Sequence, residues 1–350
     1  MHSAGPTTGE ILRYRLLGRT GLRVSELFLG AMTFGDDFSW GADRSTSGQI
    51  IDQYLDAGGN VIDTAVNYRG GDSERILGDL IGNRRDRLVL ATKYTLSRDG
   101  ADPNASGNSR KNLRLSLETS LRRLQTDHID LYYMHIWDRN TPIDETMRAL
   151  DDAVTAGKVL YVGISDAPAW VLAQANTLAD WRGWTPFSAL QVRYNLADRD
   201  AERELIPAAE ALGLSVAAWG PLGGGLLSGK FSGPAPAEEG TRVDGTSLSD
   251  RQRSIAACVS ELAQELGVTA AQLAIAWTMT RSRRVHPILG ARRPEQLADN
   301  LGALELVLPD EATQRLEAAT GFEVGFPTNF IDETQGFVYG PVGKLVDGRE

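Results

Sequence analysis

Short apolar runs alternate with longer amphipathic segments along most of the 350-residue chain. Strand-like runs that alternate with helical segments are typical of βα units, in which the strands form a parallel sheet. The runs predict eight strands, which are Glu26–Gly30, Asn60–Thr64, Arg87–Lys93, Ile129–His135, Val159–Ser165, Ala189–Val192, Leu214–Trp219 and Val285–Gly290.

Between the predicted strands, apolar residues recur at three- and four-residue steps, as they do on one face of a helix. The spacing of Leu113, Leu117, Leu121 and Leu124 is the clearest case. Eight strands separated by helices predict an α/β fold of the (β/α)8 TIM barrel type. The helices predicted in this way are Gln49–Ala57, Ser73–Ile81, Asn112–Leu124, Asp144–Ala156, Trp170–Ala179, Glu202–Leu212, Ser254–Leu266, Ala270–Arg281 and Pro294–Leu301.

Three segments depart from this repeat. Tyr14–Leu17 and Leu22–Ser25 flank a Gly-containing turn, which predicts an N-terminal hairpin that caps the barrel floor. The loop 221–250 after the seventh strand is long and rich in Gly and Pro, as binding loops often are. The tail 321–350 is predicted to be irregular and to lie near the substrate cleft. We expect a single domain over residues 1–350, with the barrel at 14–320.

Polar side chains stand where the early strands end. Asp63 ends the second strand and is followed in its loop by Tyr68, Lys93 ends the third strand, and His135 ends the fourth. In such barrels the active site lies at the carboxyl ends of the strands, so these four residues are expected at one rim. A carboxylate would hold the lysine, whose charge would lower the pKa of a nearby tyrosine toward neutrality. The set therefore predicts acid–base chemistry.

Composition narrows the class of protein. Apolar residues make up 42% and charged residues 23%, a normal globular balance. The net charge of −10 argues against a nucleic-acid surface. No apolar stretch approaches the ~20 residues of a membrane span, and no signal peptide is recognisable, so we expect a cytoplasmic protein. The four histidines are not clustered with one another or with the single cysteine, which speaks against a metal site.

Three segments resemble those that carry the catalytic residues of the aldo-keto reductase superfamily. The resemblance implies that Tyr68 is the general acid, that Lys93 and Asp63 tune it, and that His135 orients the carbonyl. It also implies hydride transfer from NADPH, with NADH less favoured, to an aldehyde or ketone. The three segments are Val61-Ile62-Asp63-Thr64-Ala65 leading to Tyr68, Ala91-Thr92-Lys93, and Asp130-Leu131-Tyr132-Tyr133-Met134-His135.

The later strand ends resemble the family's cofactor site. Ser165, Asp166 and Gln191 match the carboxamide contacts, although the family commonly has Asn in place of Asp166, and Trp219 matches the residue that stacks on the nicotinamide. A glycine-rich loop resembles the one over the pyrophosphate, and Gly290–Asn300 resembles the adenosine-phosphate motif, with Arg292 at the 2′-phosphate. The remaining implied contacts are Pro221, Leu222, Gly223, Lys230, Arg242, Gly290, Gln296, Asp299 and Asn300.

The substrate is expected to be a small carbonyl compound, in a pocket lined by Phe34, Trp40, Tyr94 and Trp137. Such a lining favours apolar or aromatic compounds. Two alternatives stay open. The first is a cofactor-binding regulatory or sensor protein, because the resemblance extends to potassium-channel β-subunits. The second is a barrel enzyme that uses Lys93 as a Schiff-base nucleophile. The sequence does not determine the oligomeric state.

Overall fold

The computed structural model describes residues 12–35, 41–231, 243 and 245–345. A two-stranded antiparallel hairpin precedes a closed barrel of eight parallel strands, in which neighbours in the chain are neighbours in space. The last strand pairs with the first and closes the ring. The hairpin consists of β1 (Tyr14–Leu16) and β2 (Arg23–Ser25), and the barrel consists of β3 (Phe28–Gly30), β4 (Val61–Asp63), β5 (Val89–Tyr94), β6 (Ile129–Met134), β7 (Val159–Ser165), β8 (Phe187–Arg193), β9 (Ser215–Trp219) and β10 (Val285–Gly290).

Helices follow the strands and surround the barrel, so the predicted (β/α)8 architecture is confirmed. In the part of the chain that the structure describes, the α-helices are α1 (Arg44–Asp56), α2 (Asp72–Ile81), α3 (Arg110–Leu124), α4 (Ile143–Thr155), α5 (Ala169–Arg182), α6 (Leu205–Leu212), α7 (Asp250–Leu266), α8 (Ala270–Thr280), α9 (Pro294–Leu301), α10 (Asp310–Thr320) and α11 (Thr328–Tyr339).

The core has two layers, because successive side chains of a strand point to opposite faces. Val89 and Ala91 of β5 belong to the cluster inside the barrel, whereas Leu90 belongs to the larger cluster between strands and helices. Strands buried on both faces are mostly apolar along their length. The hairpin closes the inner layer, since Leu17 and Val24 are fully buried against the interior cluster. The predicted cap on the barrel floor is therefore confirmed.

Two helices begin four or five residues earlier than the apolar spacing predicts. α1 begins at Arg44 rather than Gln49, because the Asp43 carboxylate accepts a hydrogen bond from the amide of Thr46 at 2.7 Å. α7 begins at Asp250 rather than Ser254, because Ser249 and Gln252 form a capping box. The polar first turn of each helix has no apolar face, so capping chemistry and not hydrophobic periodicity marks where it starts.

The tail is not irregular throughout, which corrects the prediction. It contains α11, and none of the α11 residues is buried. The segment before α11 is held on the outside of the barrel by Arg203, whose guanidinium donates to the carbonyl of Val324 and lies 4.8 Å from the ring of Phe322. No described residue of the tail lines the cavity at the barrel mouth. Its place near the substrate cleft stays a prediction.

Candidate active site

Lys93 is the centre of a buried cluster at the carboxyl ends of β4 and β5. Its ammonium group lies 2.5 Å from the Asp63 carboxylate and donates to the Thr64 carbonyl at 2.7 Å and to the Tyr68 hydroxyl at 3.2 Å. The second Asp63 oxygen accepts a hydrogen bond from the Gln191 amide at 3.0 Å. The Lys93 side chain is completely buried and that of Asp63 is 5% exposed. The two charges are therefore fixed in place and shielded from solvent.

Tyr68 is presented to this cluster by a strained turn that α3 supports. It opens a short 3-10 turn in which Arg69, the next residue, has a left-handed φ of 53°. Arg123 of α3 donates to the Val66 carbonyl at 2.6 Å and to the buried Glu74 carboxylate at 3.1 Å. These bonds anchor the loop two residues before Tyr68, so its hydroxyl position is determined by packed elements rather than by a free loop.

The pKa of Tyr68 lies above its usual value, which corrects the expectation that the site lowers it. Burial is the largest influence and raises the pKa, and the charge of Lys93 offsets this only in part. Burial also lowers the pKa of Lys93, but Asp63 and the Tyr68 hydroxyl outweigh it and leave that pKa raised. At neutral pH Tyr68 therefore keeps its proton and Lys93 its charge, the protonation states in which a tyrosine can donate a proton beside a cation.

His135 faces Tyr68 and is neutral at physiological pH. The two rings meet edge to face, with centroids 5.8 Å apart. Burial, assisted by the charge of Lys93, lowers the pKa of His135 to about 3. Its Nδ1 atom is buried and makes no hydrogen bond to the described residues. A neutral imidazole beside a tyrosine can donate one hydrogen bond to a carbonyl oxygen without competing for the proton.

A cavity of about 650 Å³ runs across the rim from these residues to the N-terminus of α9. That volume lies within the usual range for small-molecule sites. Most residues predicted to bind the cofactor line it, whereas Ser165 and Gly223 do not, and Arg242 is outside the described residues. The predicted residues that line the cavity are Asp63, Tyr68, His135, Asp166, Gln191, Trp219, Pro221, Leu222, Lys230, Gly290, Arg292, Gln296, Asp299 and Asn300.

Several of these residues also hold the protein itself together. The Gln296 side chain accepts from the backbone amide of Arg292 at 3.1 Å and so closes the turn that starts α9. Asp299 accepts from Thr269 at 3.1 Å and from Gln272 at 3.1 Å, which ties α9 to α8. Hydrogen bonds within the protein therefore fix the positions of Gln296 and Asp299 at the cavity. Any contact of these side chains with a cofactor would come in addition to those hydrogen bonds.

Two residues predicted to line the substrate pocket, Tyr94 and Phe34, lie in the core and do not line the cavity. Tyr94 is completely buried and stacks on Tyr132, because it follows the inward-facing Lys93 and so points to the outer layer. Phe34 is also completely buried, in the core between strands and helices. Trp137 is partly buried against the exposed Trp170 and does not line the cavity. Trp40 lies outside the described residues.

Other residues line the cavity that the sequence prediction did not include. Met32 and Thr33 follow β3, Leu96 follows β5, and Phe231 ends the glycine-rich loop. The rule that strand ends form the rim applies to the first three and could have identified them. Arg293 also lines the cavity, next to Arg292.

No group of His, Cys, Asp or Glu among the described residues could hold a metal ion. In the same part of the chain, the longest helices are too short or too polar to cross a bilayer. Lys93 has three hydrogen-bond acceptors around its ammonium group, so the Schiff-base alternative is not favoured.

Comparison with known proteins decides the family. The chain matches the aldo/keto reductase family over residues 26–320, which includes the whole barrel. The chain belongs to this family. It is 40% identical over 341 residues to a norsolorinic acid reductase of Aspergillus flavus, covering 94% of this chain and 87% of that protein. It is 39% identical over 347 residues to an aryl-alcohol dehydrogenase of Pestalotiopsis microspora, covering 96% and 89%.

A putative aryl-alcohol dehydrogenase of Saccharomyces cerevisiae is 37% identical over 341 residues, covering 93% of this aldo/keto reductase and 91% of the yeast protein. Membership of the family, with relatives named as reductases and dehydrogenases, makes the protein an oxidoreductase that acts on carbonyl or alcohol groups of small molecules. Enzymes of this family use nicotinamide cofactors. The sensor alternative is accordingly not favoured.

The cavity of this aldo/keto reductase fits a nicotinamide dinucleotide at both ends. At one end the cavity is lined by Tyr68, His135 and the aromatic Trp219. At the far end, Arg292 and Arg293 precede the first turn of α9, where backbone amides favour anions. Between them, Gly224 and Gly225 have left-handed φ values of 70° and 108°, which bring the loop backbone to the cavity without a side chain in between.

Proposed function

We propose that this protein is an NADPH-dependent carbonyl reductase in which Tyr68 donates the proton to the substrate oxygen. The observation that carries the proposal is the joint position of Tyr68, Lys93 and Asp63. The Tyr68 hydroxyl is within hydrogen-bond distance of a buried ammonium group that is itself paired with a buried carboxylate, and it opens into a cavity. Such an arrangement supports proton transfer at one defined atom.

When bound, the cofactor supplies a hydride to the carbonyl carbon. Tyr68 donates its proton to the carbonyl oxygen, and the adjacent Lys93 charge stabilises the tyrosinate that results. Asp63 holds Lys93 in place and keeps its pKa high. His135, neutral because of its low pKa, donates a hydrogen bond that aligns the carbonyl oxygen. In the reverse direction Tyr68 accepts the proton of an alcohol.

The cofactor is proposed to lie along the cavity with its nicotinamide against Trp219. Asp166 and Gln191, together with Ser165, are the proposed contacts of the carboxamide. Pro221, Leu222, Gly223 and Lys230 are proposed to enclose the pyrophosphate, with Gly290, Gln296, Asp299 and Asn300 near the adenosine. Arg242 belongs to the same proposal on sequence alone.

NADPH is proposed over NADH because the far end of the cavity is cationic. The 2′-phosphate that distinguishes the two cofactors needs charged donors, and an Arg guanidinium matches a phosphate group well. Arg292 is partly buried at the entrance of α9 and lines the cavity, which supports its assignment to this phosphate.

The substrate is proposed to be an aromatic aldehyde or ketone. Met32, Leu96 and Phe231 contribute apolar surface to the cavity wall, and such surface favours a flat, apolar ring system. Relatives named as norsolorinic acid reductase and aryl-alcohol dehydrogenase support the same class.

The test is the substitution Tyr68→Phe, with Tyr94→Phe as its matched control. General acid catalysis is worth about 10²–10⁴-fold, so kcat for an aromatic aldehyde should fall at least that far in Tyr68→Phe. The dissociation constant for NADPH, measured by fluorescence titration, should stay within about twofold because a hydroxyl group alone is removed.

Tyr94→Phe also removes one hydroxyl, and that hydroxyl is buried in the outer layer without a hydrogen bond to the described residues. Its kcat should be unchanged. Near-normal turnover by Tyr68→Phe, or an equal loss in both variants, would contradict the role of Tyr68.

A further inference from the structure

Trp219 lines the cavity and also makes a cation–π contact with a residue that does not line it. The Arg193 guanidinium carbon lies over the ring, 4.6 Å from its centroid, yet Arg193 is not among the described residues that line that cavity. The guanidinium group therefore contacts the ring from outside the cavity.

The pairing of two barrel strands produces this contact. Arg193 ends β8 and Trp219 ends β9, and the two residues are register partners in the sheet. Two carboxylates complete the arrangement. Asp166 accepts a hydrogen bond from the indole N–H at 3.2 Å, and Asp198 lies 3.9 Å from the Arg193 guanidinium. The indole is thus held at its N–H edge by Asp166 and contacted by Arg193, which stands outside the cavity that a ligand would enter.

We propose that Arg193 is a positioning residue that sets the relative affinity of the site for oxidised and reduced nicotinamide. The inference rests on the proposed function, because it requires a nicotinamide ring on the cavity face of Trp219. An oxidised nicotinamide ring carries a positive charge and a reduced ring is neutral. A guanidinium group behind the indole repels the charged ring and draws π-electron density toward itself, which weakens stacking of a cation on the opposite face.

The neighbouring carboxylates reduce the repulsion between Arg193 and an oxidised nicotinamide without cancelling it. The Arg193 side chain is 57% exposed and that of Asp198 is 43% exposed, so their ion pair at 3.9 Å is partly screened by solvent. Asp166 lies at the edge of the ring and attracts a charged nicotinamide, but it stays in place when Arg193 is changed. At the distance expected across a stacked ring, one screened charge should make the reduced nicotinamide bind roughly threefold to tenfold more tightly, relative to the oxidised form, than it would without that charge.

The experiment is the substitution Arg193→Met, which keeps the length of the side chain and removes its charge. Dissociation constants for NADP⁺ and NADPH are measured by calorimetric titration on the intact protein, without substrate. The ratio of the two constants should shift about threefold to tenfold in favour of NADP⁺. Arg193→Lys keeps a positive charge over the ring and should keep the ratio near that of the wild type.

The chain offers a matched control at Arg182, whose guanidinium carbon lies 4.6 Å from the ring centroid of the exposed Trp181, on the outer end of α5. Arg182→Met removes the same kind of contact and should leave the ratio unchanged. An unchanged ratio in Arg193→Met, or an equal loss of affinity for both forms, would overturn the inference and leave the proposed function standing. Failure of the wild-type protein to bind either form would instead overturn the proposed function, and this inference with it.

Discussion

Substitution of Lys93 by Met tests whether the buried ion pair both stabilises the barrel and assists Tyr68. In the wild type the ammonium group is completely buried and contacts Asp63, Thr64 and Tyr68 at 2.5, 2.7 and 3.2 Å. A Met side chain fills a similar volume and provides neither charge nor donor. The variant therefore leaves the Asp63 carboxylate buried. Among the described side chains, Gln191 is then the one that still donates a hydrogen bond to it.

Removal of one partner of a buried ion pair typically costs about 3–5 kcal/mol, because an uncompensated charge stays in the interior. We expect a loss of that size in the free energy of unfolding of Lys93→Met. The double variant Lys93→Met/Asp63→Asn removes both charges and keeps a polar partner for Gln191. It should recover about 2 kcal/mol or more of that loss, since residues in direct contact couple by 0.5–3 kcal/mol.

Urea unfolding, followed by circular dichroism and by tryptophan fluorescence, measures the stability of the wild type, both single variants and the double variant. A double variant no more stable than Lys93→Met would refute the reasoning, because it would mean that the buried carboxylate does not need the cation. Stability alone does not separate a structural from a catalytic role, so the pH dependence of residual activity is measured as well.

The sign of the pH effect follows from the charges. Burial already raises the pKa of Tyr68, and Lys93 is the largest influence that lowers it. Without the cation the pKa of Tyr68 rises further, and a general acid works only while it holds its proton. The alkaline limb of the pH–rate profile for carbonyl reduction should therefore move to higher pH by about one unit or more in Lys93→Met. An unmoved limb would mean that another group donates the proton.

Two further predictions address the cofactor and the packing of the helices. Arg292→Ala should weaken NADPH binding about tenfold to a hundredfold, because it removes charged hydrogen bonds to the 2′-phosphate, and should leave NADH binding nearly unchanged, as measured by titration. If Arg293→Ala loses NADPH affinity and Arg292→Ala does not, the phosphate would be assigned to Arg293 instead. Gly78→Ala in α2 should lower the free energy of unfolding by more than about 2 kcal/mol, since its new Cβ would lie 2.2 Å from the Arg123 carbonyl of α3. The matched control Gly48→Ala in α1, where the nearest atom outside the helix would be 3.7 Å away, should be neutral or stabilising by up to about 1 kcal/mol, and equal losses in the two variants would contradict the packing argument.

The pattern of apolar runs and helical segments was sufficient to predict the barrel, its hairpin and the rim that holds the candidate site. The reason is that parallel strands in a closed barrel all end at the same rim. Once Asp63, Lys93 and His135 are recognised at strand ends, the topology brings them together whatever the surrounding loops do. The same reasoning applies to Trp219 at the end of β9.

Only the tertiary structure decided which side chains face the cavity and what their surroundings do to their chemistry. The spacing of aromatic residues does not reveal whether a side chain lies on the inner or the outer side of its strand, and Tyr94 and Phe34 proved to be core residues. The direction of the pKa of Tyr68 depends on burial competing with a charge 3.2 Å away, and neither burial nor distance is encoded in a local pattern. Likewise, Arg193 and Trp219 are 26 positions apart in the chain and meet only because β8 and β9 pair in that register. Local sequence determines the elements, whereas interactions across the barrel determine the site, because they depend on register and loop packing that short-range periodicity does not specify.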